Sequence, residues 1–194
     1  MPKINTKSVE TDFTAIAISG TPGTGKSAVA RVLVKRLGRL SYKLYEIYDF
    51  ARERKLIRGY DKVRKSYVVD IKGLRRESAR LKGKENVIFV GHMSHFCDAD
   101  FVFVLRTRPD VLRIRLKRKG WSKAKIAENI EAEILDVCLQ EAVAEHGLRG
   151  VFEIDTTKKK EKQVAQIILN ILKGIKEERQ RYKPGKIDWT SYLK

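Results

Sequence analysis

Hydrophobic positions along this chain follow two periods. Short, nearly unbroken apolar runs occur at Phe13–Ser19, Tyr42–Ile47, Val87–Val90, Phe101–Arg106 and Val151–Asp155. Their length and their β-branched and aromatic content predict five strands, buried on both faces. Between them the apolar residues recur at helical spacing. Val29, Val32, Leu33 and Leu37 predict a helix over Lys26–Leu37 that stops at Gly38. Further helices are expected from Asp49, as N-cap, to Lys55, over Asp70–Leu81, and from Pro109 to Lys119 behind a Thr107 cap. A long helix from Ser122 to His146 and a last one over Glu161–Lys176 complete the series. Strands that alternate with helices through parallel crossovers make an α/β protein with a doubly wound, five-stranded parallel sheet flanked by helices.

In such a sheet, ligands gather outside the carboxyl ends of the strands. Here those ends carry Ser19-Gly20, Asp49, Gly91-His92, Arg106 and Asp155-Thr156, small or polar residues suited to phosphate. Between the first strand and the first helix lies Gly20-Thr21-Pro22-Gly23-Thr24-Gly25-Lys26-Ser27, which fits G-x-x-x-x-G-K-[ST] without a mismatch. Its glycines let the backbone curl so that successive N–H groups face phosphate oxygens. Lys26 brings a point charge to the β- and γ-phosphates, Ser27 offers its hydroxyl to Mg²⁺, and the helix dipole adds to the attraction. The motif and its strand–helix setting predict a P-loop NTPase that binds ATP. It does not separate ATPase from kinase, and no N-K-x-D-type guanine signature appears downstream.

Three further groups could act on a bound nucleotide. Arg52, one turn beyond Asp49, can grip a second phosphate bidentately, or else belong to a solvated helix face. Arg115 and Lys119 lie four apart and, with Arg118, can close over a transferring phosphoryl group, with Gly120-Trp121-Ser122 as a hinge. A basic face toward solvent or RNA is the alternative. His92, just past the third strand, is placed to contact phosphates or orient a water. His95 is expected to pack, and His146 to cap the carbonyls that end its helix. A zinc reading of His92, His95, Cys97, Asp98 and Asp100 lacks a second ligand pair, apart from distant Cys138 and His146.

Composition changes the picture in one respect. The 194 residues include 42 Lys+Arg against 24 Asp+Glu, a formal charge of +18 that attracts phosphate-rich partners such as nucleotides, RNA or ribonucleoprotein. Hydrophobic content of 42% excludes intrinsic disorder. No apolar run spans a bilayer, residues 1–12 form a polar tail without a signal-peptide core, and two cysteines make no disulfide framework. A cytoplasmic protein of one domain, with no membrane association, is the expectation. Its basic tail, residues 179–194, is read as an ordered arm or a partner contact.

Taken in order, Gly20–Ser27, Asp49-Phe50-Ala51-Arg52-Glu53, Gly59-Tyr60-Asp61, Gly91-His92, Val104-Leu105-Arg106-Thr107, Arg118-Lys119-Gly120-Trp121 and Asn129-Ile130-Glu131-Ala132-Glu133 resemble the archaeal and nuclear adenylate kinase family over about residues 13–175. The resemblance implies a broad-specificity nucleoside monophosphate kinase that also hydrolyses ATP and needs Mg²⁺. It implies a role in maturing the small ribosomal subunit, with ribosomal small-subunit protein eleven as partner. It also implies a monophosphate-binding flap over residues 46–69 and a short lid over residues 118–128. By position, Gly23, Gly25, Lys26, Ser27 and Ala28 hold the ATP phosphates, Arg52 matches the acceptor-helix arginine, and His92 keeps a water-orienting role. From the residues themselves, Gly20 and Thr24 are added to the ATP site, Asp49 to the monophosphate site, and Arg115 joins Lys26, His92 and Lys119 as catalytic. Lys119 stands where the family has a lid arginine, and keeps charge without the planar fork. Val90 stands where the family has an acid, so metal is expected to depend on Ser27, phosphates and waters, helped by Asp49 or another carboxylate. The family's second phosphate-gripping arginine is absent, with Ser94 and His95 in that stretch.

Overall fold

The computed structural model describes residues 14–38, 41–64 and 66–193. Phe13 and the 1–12 tail lie outside them. Five strands, β1 (Ala15–Ser19), β2 (Lys43–Glu46), β5 (Val87–Val90), β6 (Phe101–Arg106) and β7 (Val151–Asp155), form one parallel sheet in the order β2-β5-β1-β6-β7. All four pairings are parallel. The sheet is the doubly wound one that the apolar runs predict.

Strict alternation in the strands sends side chains into two layers. Ala15, Ala17, Val87 and Phe89 pack with Phe50, Leu74 and Leu139 on one face. Ile16, Ile18, Ile88 and Val90 pack with Val29, Leu33, Val164 and Ile168 on the other. The second layer lies under α1 (Lys26–Leu37) and α7 (Glu161–Leu172), so α1 is pressed against the sheet with its first turn beside the end of β1. A separate apolar cluster joins α4 (Pro109–Arg118) to α5 (Lys123–Ile134) through Leu112, Leu116, Ile126 and Ile130.

Several boundaries differ from the sequence reading, each for a local reason. The helix α2 spans Ile47–Glu53, so Glu46 takes the N-cap position. Asp49 lies inside the first turn, where its charge still favours the positive helix end. Residues Ile57–Asp61 (β3) and Ser66–Val69 (β4) form an antiparallel hairpin within the 46–69 segment, then α3 covers Ile71–Ala79. The hairpin is mostly exposed and carries an irregularity between Ile57 and Gly59, so no buried alternation marks it in the sequence. The expected helix from Ser122 to His146 is two, α5 and α6 (Val137–Gly150), broken where Asp136 adopts a left-handed φ of 56°. Thr107 is not the cap of α4, a position held by Arg108, because its hydroxyl is shared with Thr156 and Arg115. The last predicted helix ends at Leu172, where Gly174 turns the chain into α8 (Lys176–Arg181).

Beyond α8 the arm folds back onto the domain. Glu153 donates its amide to the Tyr182 carbonyl, and its carboxylate accepts the amides of Gly185 and Lys186. Trp189 then packs on the α4–α5 cluster. Among the described residues, no helix is long and apolar enough to cross a membrane.

Candidate active site

The loop from Gly20 to Ser27 leaves β1 and enters α1, as its spacing predicts. Gly20 and Gly25 have φ values of 128° and 99°, in the region that penalises a side chain. At Gly20 a Cβ would lie 2.2 Å from the Leu105 carbonyl oxygen, so the backbone of β6 itself excludes any other residue. Lys26 folds back over the loop it terminates. Its Nζ donates to the carbonyls of Gly20 at 2.7 Å and Thr21 at 3.0 Å. With only 9% of its surface exposed, the ammonium is poorly solvated, and burial pulls its pKa down to about 8. Cys138 and Glu133 oppose that fall.

Around this ammonium lies a cleft of about 660 Å³. Gly23, Gly25, Ser27 and Ala28 form its floor, and His92, Arg115, Lys119 and Trp121 its walls, with Arg31 and Arg118 at the margins. Sequence-predicted groups from the loop, the third sheet segment and the lid therefore meet in one place. A smaller recess of about 180 Å³ shares Gly23, Gly25, Ala28 and Arg115 with the cleft, and is closed by Thr156, Lys159 and Val164. Of this wall, formed by the turn after β7 and the start of α7, the sequence reading names Thr156 but not Lys159 or Val164, which carry no motif. The one visible signal there is the place of Thr156 at a strand's carboxyl end.

His92 reaches the surface while its ring rests against α6. Its Nδ1 lies 3.5 Å from Cys138 Sγ. Desolvation, then the Lys26 charge, lower its pKa to about 4, so the ring is neutral near pH 7. Arg115 is pinned between loop and sheet: its guanidinium donates to Thr156 O at 3.2 Å, Thr107 Oγ1 at 3.3 Å and Gly23 O at 3.4 Å. Asp49 and Arg52 pair with each other at 3.2 Å on exposed positions of α2, outside the cleft wall. Nearby, Tyr48, Tyr67 and Tyr60 contact one another in turn, the first pair tilted and the second edge-to-face, with centroids 5.1 Å apart at each step. From the hairpin, Arg64 reaches Glu128 on α5 at 3.8 Å.

Two supporting networks were not legible in the sequence. Glu133, buried on α5, accepts hydrogen bonds from Thr21 Oγ1, from the Thr107 amide at 2.9 Å and from Arg106 Nε at 2.9 Å. Arg106, 1% exposed, also binds Glu153 at 2.6 Å and Asp136. One buried guanidinium thus ties β6, β7 and the α5–α6 joint to the phosphate loop. In the second network, buried Ser19 Oγ lies 2.6 Å from His95 Nδ1, and His95 Nε2 lies 3.0 Å from Glu141. His95 is therefore a fastening between β1 and α6, beyond simple packing. His146 does not cap its own helix: its Nε2 lies 2.7 Å from the His95 carbonyl oxygen.

The zinc reading disfavoured by the sequence finds no assembled ligand set: His92 lies beside Cys138, His95 is engaged by Ser19 and Glu141, His146 meets the His95 carbonyl, and Cys97 and Cys138 are buried free thiols. Among the described residues, no group of three or more His, Cys, Asp or Glu side chains converges as a metal site. The donors in the cleft suit a hard cation that arrives with a nucleotide. Ser27, on the first turn of α1, presents a hydroxyl with no protein partner among the described residues, and phosphate oxygens would complete the set.

Comparison with known proteins agrees with this geometry. A family model described as "AAA domain" matches residues 16–136. The chain is 43% identical to a protein of Archaeoglobus fulgidus described as "Putative adenylate kinase", over 92% of this chain and 93% of that one. It is 39% identical to a protein of the same description from Methanocaldococcus jannaschii, over 90% and 92%. Among solved structures it is similar in fold to shikimate kinase from Acinetobacter baumannii in complex with shikimate, with a TM-score of 0.58 at 19% identity, covering 84% of this chain and 95% of that one. Deoxyadenosine kinase from M. mycoides with bound dATP gives a TM-score of 0.54 at 18% identity, over 82% and 99%.

Proposed function

The chain belongs to the archaeal adenylate kinase family, and on that premise we propose that it is a broad-specificity nucleoside monophosphate kinase that moves the γ-phosphoryl of ATP to AMP or another monophosphate. One observation carries the reading most directly. The Lys26 ammonium sits at the floor of a cleft whose walls are the cationic groups Arg115 and Lys119 and the neutral imidazole of His92. Phosphoryl transfer of this kind depends on positioning and on cations that offset charge as the O–P bond to ADP breaks and the new one forms.

In this reading, phosphate oxygens replace the Gly20 and Thr21 carbonyls as acceptors of Lys26, and the loop amides hold the β-phosphate. The nucleoside lies toward the recess of Thr156 and Lys159. Ser27, with the phosphates, would hold Mg²⁺, which would supply charge neutralisation on the triphosphate. Lys119 closes from the lid. Neutral His92 orients the acceptor, or a water when ATP is hydrolysed without one. Asp49 and Arg52, on the segment that follows β2, receive the monophosphate once the hairpin closes. Arg52→Ala should then raise KM for AMP about ten- to a hundredfold, the worth of a charge-assisted bidentate contact. A coupled assay of ADP formation against AMP concentration checks this, and an unchanged AMP dependence removes Arg52 from the acceptor site.

The free Lys26 pKa of about 8 has a measurable consequence. Phosphate favours the charged amine, so nucleotide binding raises this pKa and draws a proton from solvent at pH values above it. Affinity for ATP should fall as pH rises through about 8. Calorimetry in two buffers of different ionisation enthalpy should show proton uptake above that pH and little below it.

A second reading is favoured by the +18 charge. The chain then uses ATP hydrolysis as a switch during maturation of the small ribosomal subunit, acting on ribosomal small-subunit protein eleven or on pre-ribosomal RNA. ADP formation measured with and without AMP, then with and without that protein, separates the two. Stimulation by AMP supports the kinase, and stimulation by the partner alone supports the switch.

A further inference from the structure

In P-loop enzymes the metal is held between the loop's Ser or Thr and a carboxylate at the end of a neighbouring strand. The strand beside β1 on that side is β5, and its last residue, Val90, is buried and has no oxygen to give. The next strand supplies one. Glu46 ends β2 and is the register partner of Val90.

The face on which Glu46 stands follows from its strand. Leu44 packs with Ile88 and Val90 in the layer beneath α1, whereas Tyr45 packs with Phe89 in the opposite layer. Period-two alternation therefore returns Glu46 to the α1 side, where the helix opens with Lys26 and Ser27. The charge of Glu46 acts on the Lys26 ammonium and favours its protonated form, consistent with that placement. The two strand ends are also drawn together: a Cβ on Gly91 would lie 2.9 Å from Ile47 Cβ.

Glu46 does not line the cleft itself but opens onto a recess of about 360 Å³ shared with Asp49, Glu53 and Arg54, and it differs from Asp49 and Glu133 in being uncommitted. Asp49 is paired with Arg52, and Glu133 is occupied by Thr21, Arg106 and Thr107. Glu46 is half-buried and makes no hydrogen bond or ion pair among the described residues. From β2 it must reach across one extra strand, about 4.8 Å. A glutamate is one methylene longer than the aspartate that usually ends the nearer strand, and a metal-bound water spans distance that the side chain does not.

We propose that Glu46 is the metal-organising carboxylate of this enzyme, accepting hydrogen bonds from waters of the Mg²⁺ carried by the nucleotide on Ser27. The inference rests on the reading that Mg·ATP binds the Gly20–Ser27 loop. Its test uses Mn²⁺ as the probe, titrated into the full chain saturated with ADP and followed by electron paramagnetic resonance. Glu46→Gln should raise the Mn²⁺ Kd about tenfold or more, as loss of an outer-shell partner does. ADP binding in EDTA should hold or tighten, because a negative charge beside the phosphates is gone. Glu46→Asp should fall between, and Glu53→Gln, which removes an exposed charge from α2, should leave the Mn²⁺ Kd unchanged. If Glu46→Gln binds ADP and Mn²⁺ as the natural chain does, or if ADP binding weakens equally with and without metal, Glu46 is not the metal's partner. If the natural chain binds no ADP, the underlying reading fails first and takes this one with it.

Discussion

Lys26→Ala should cut phosphoryl transfer by about a hundred- to a thousandfold or more, the range for removing one preorganised group from a developing oxyanion. On the proposed function the loss should appear in kcat as well as in ATP affinity, because Lys26 would then meet the phosphates whose charge grows as the γ-phosphoryl leaves. Stability should move the other way. The pKa of Lys26 is lowered in the folded chain, to about 8 from 10.5, so holding the charged form there opposes folding at neutral pH. The unfolded chain binds more protons between those two values, and the natural protein gains stability as pH rises through that window. Lys26→Met keeps the aliphatic stem and removes the charge, so its melting temperature at pH 7 should equal or exceed that of the natural chain. Turnover within a few-fold of normal in both variants would show that the cleft is not where the reaction occurs.

Arg106→Met should do the reverse, and damage the fold before the chemistry. It leaves buried Glu133 and Glu153 facing each other, with Asp136 beside them and no cation among the three. Breaking a buried pair in this way costs about 3–5 kcal/mol. Burial already raises the Glu153 pKa against the opposing effect of Arg106, and without that guanidinium it rises further. A carboxyl whose folded pKa lies above its unfolded one is most stabilising when protonated, so the variant should regain stability as pH falls through the raised value. Denaturant unfolding at neutral and mildly acidic pH checks both statements. A variant as stable as the natural chain at neutral pH would mean that the three carboxylates do not depend on this cation.

These two residues mark the limits of what the sequence makes legible. Lys26 stands in a contiguous motif whose spacing, strand and helix are all local, so the loop and its lysine can be placed without a structure. The five strands are equally plain, because a sheet covered on both faces needs uninterrupted apolar runs. Arg106 reads only as a charged residue at a strand's end, a position that suggests a ligand contact. Its true partners lie 27, 30 and 47 residues away in sequence, and no local pattern joins them. The break at Asp136 has no glycine or proline to announce it, and follows from that same network, which draws Asp136 to Arg106. The hairpin over Ile57–Val69 buries too little to impose an alternation, so no pattern of the sequence marks it. Asp49 shows a finer limit: a good capping residue in the sequence, it lies three positions inside the helix because Ile47 is already buried as its first residue.

The grip of the loop on its own lysine has one more consequence. Lys26 already donates to two neutral acceptors in place, so an anion that is to engage more than the third N–H of the ammonium must displace one or both carbonyls. A monovalent ion such as chloride offers one charge and no array of oxygens to answer the loop amides. A polyphosphate offers both, and clears that threshold. In a chain with an excess of 18 positive charges, this internal competition would favour a polyphosphate over a simple salt anion.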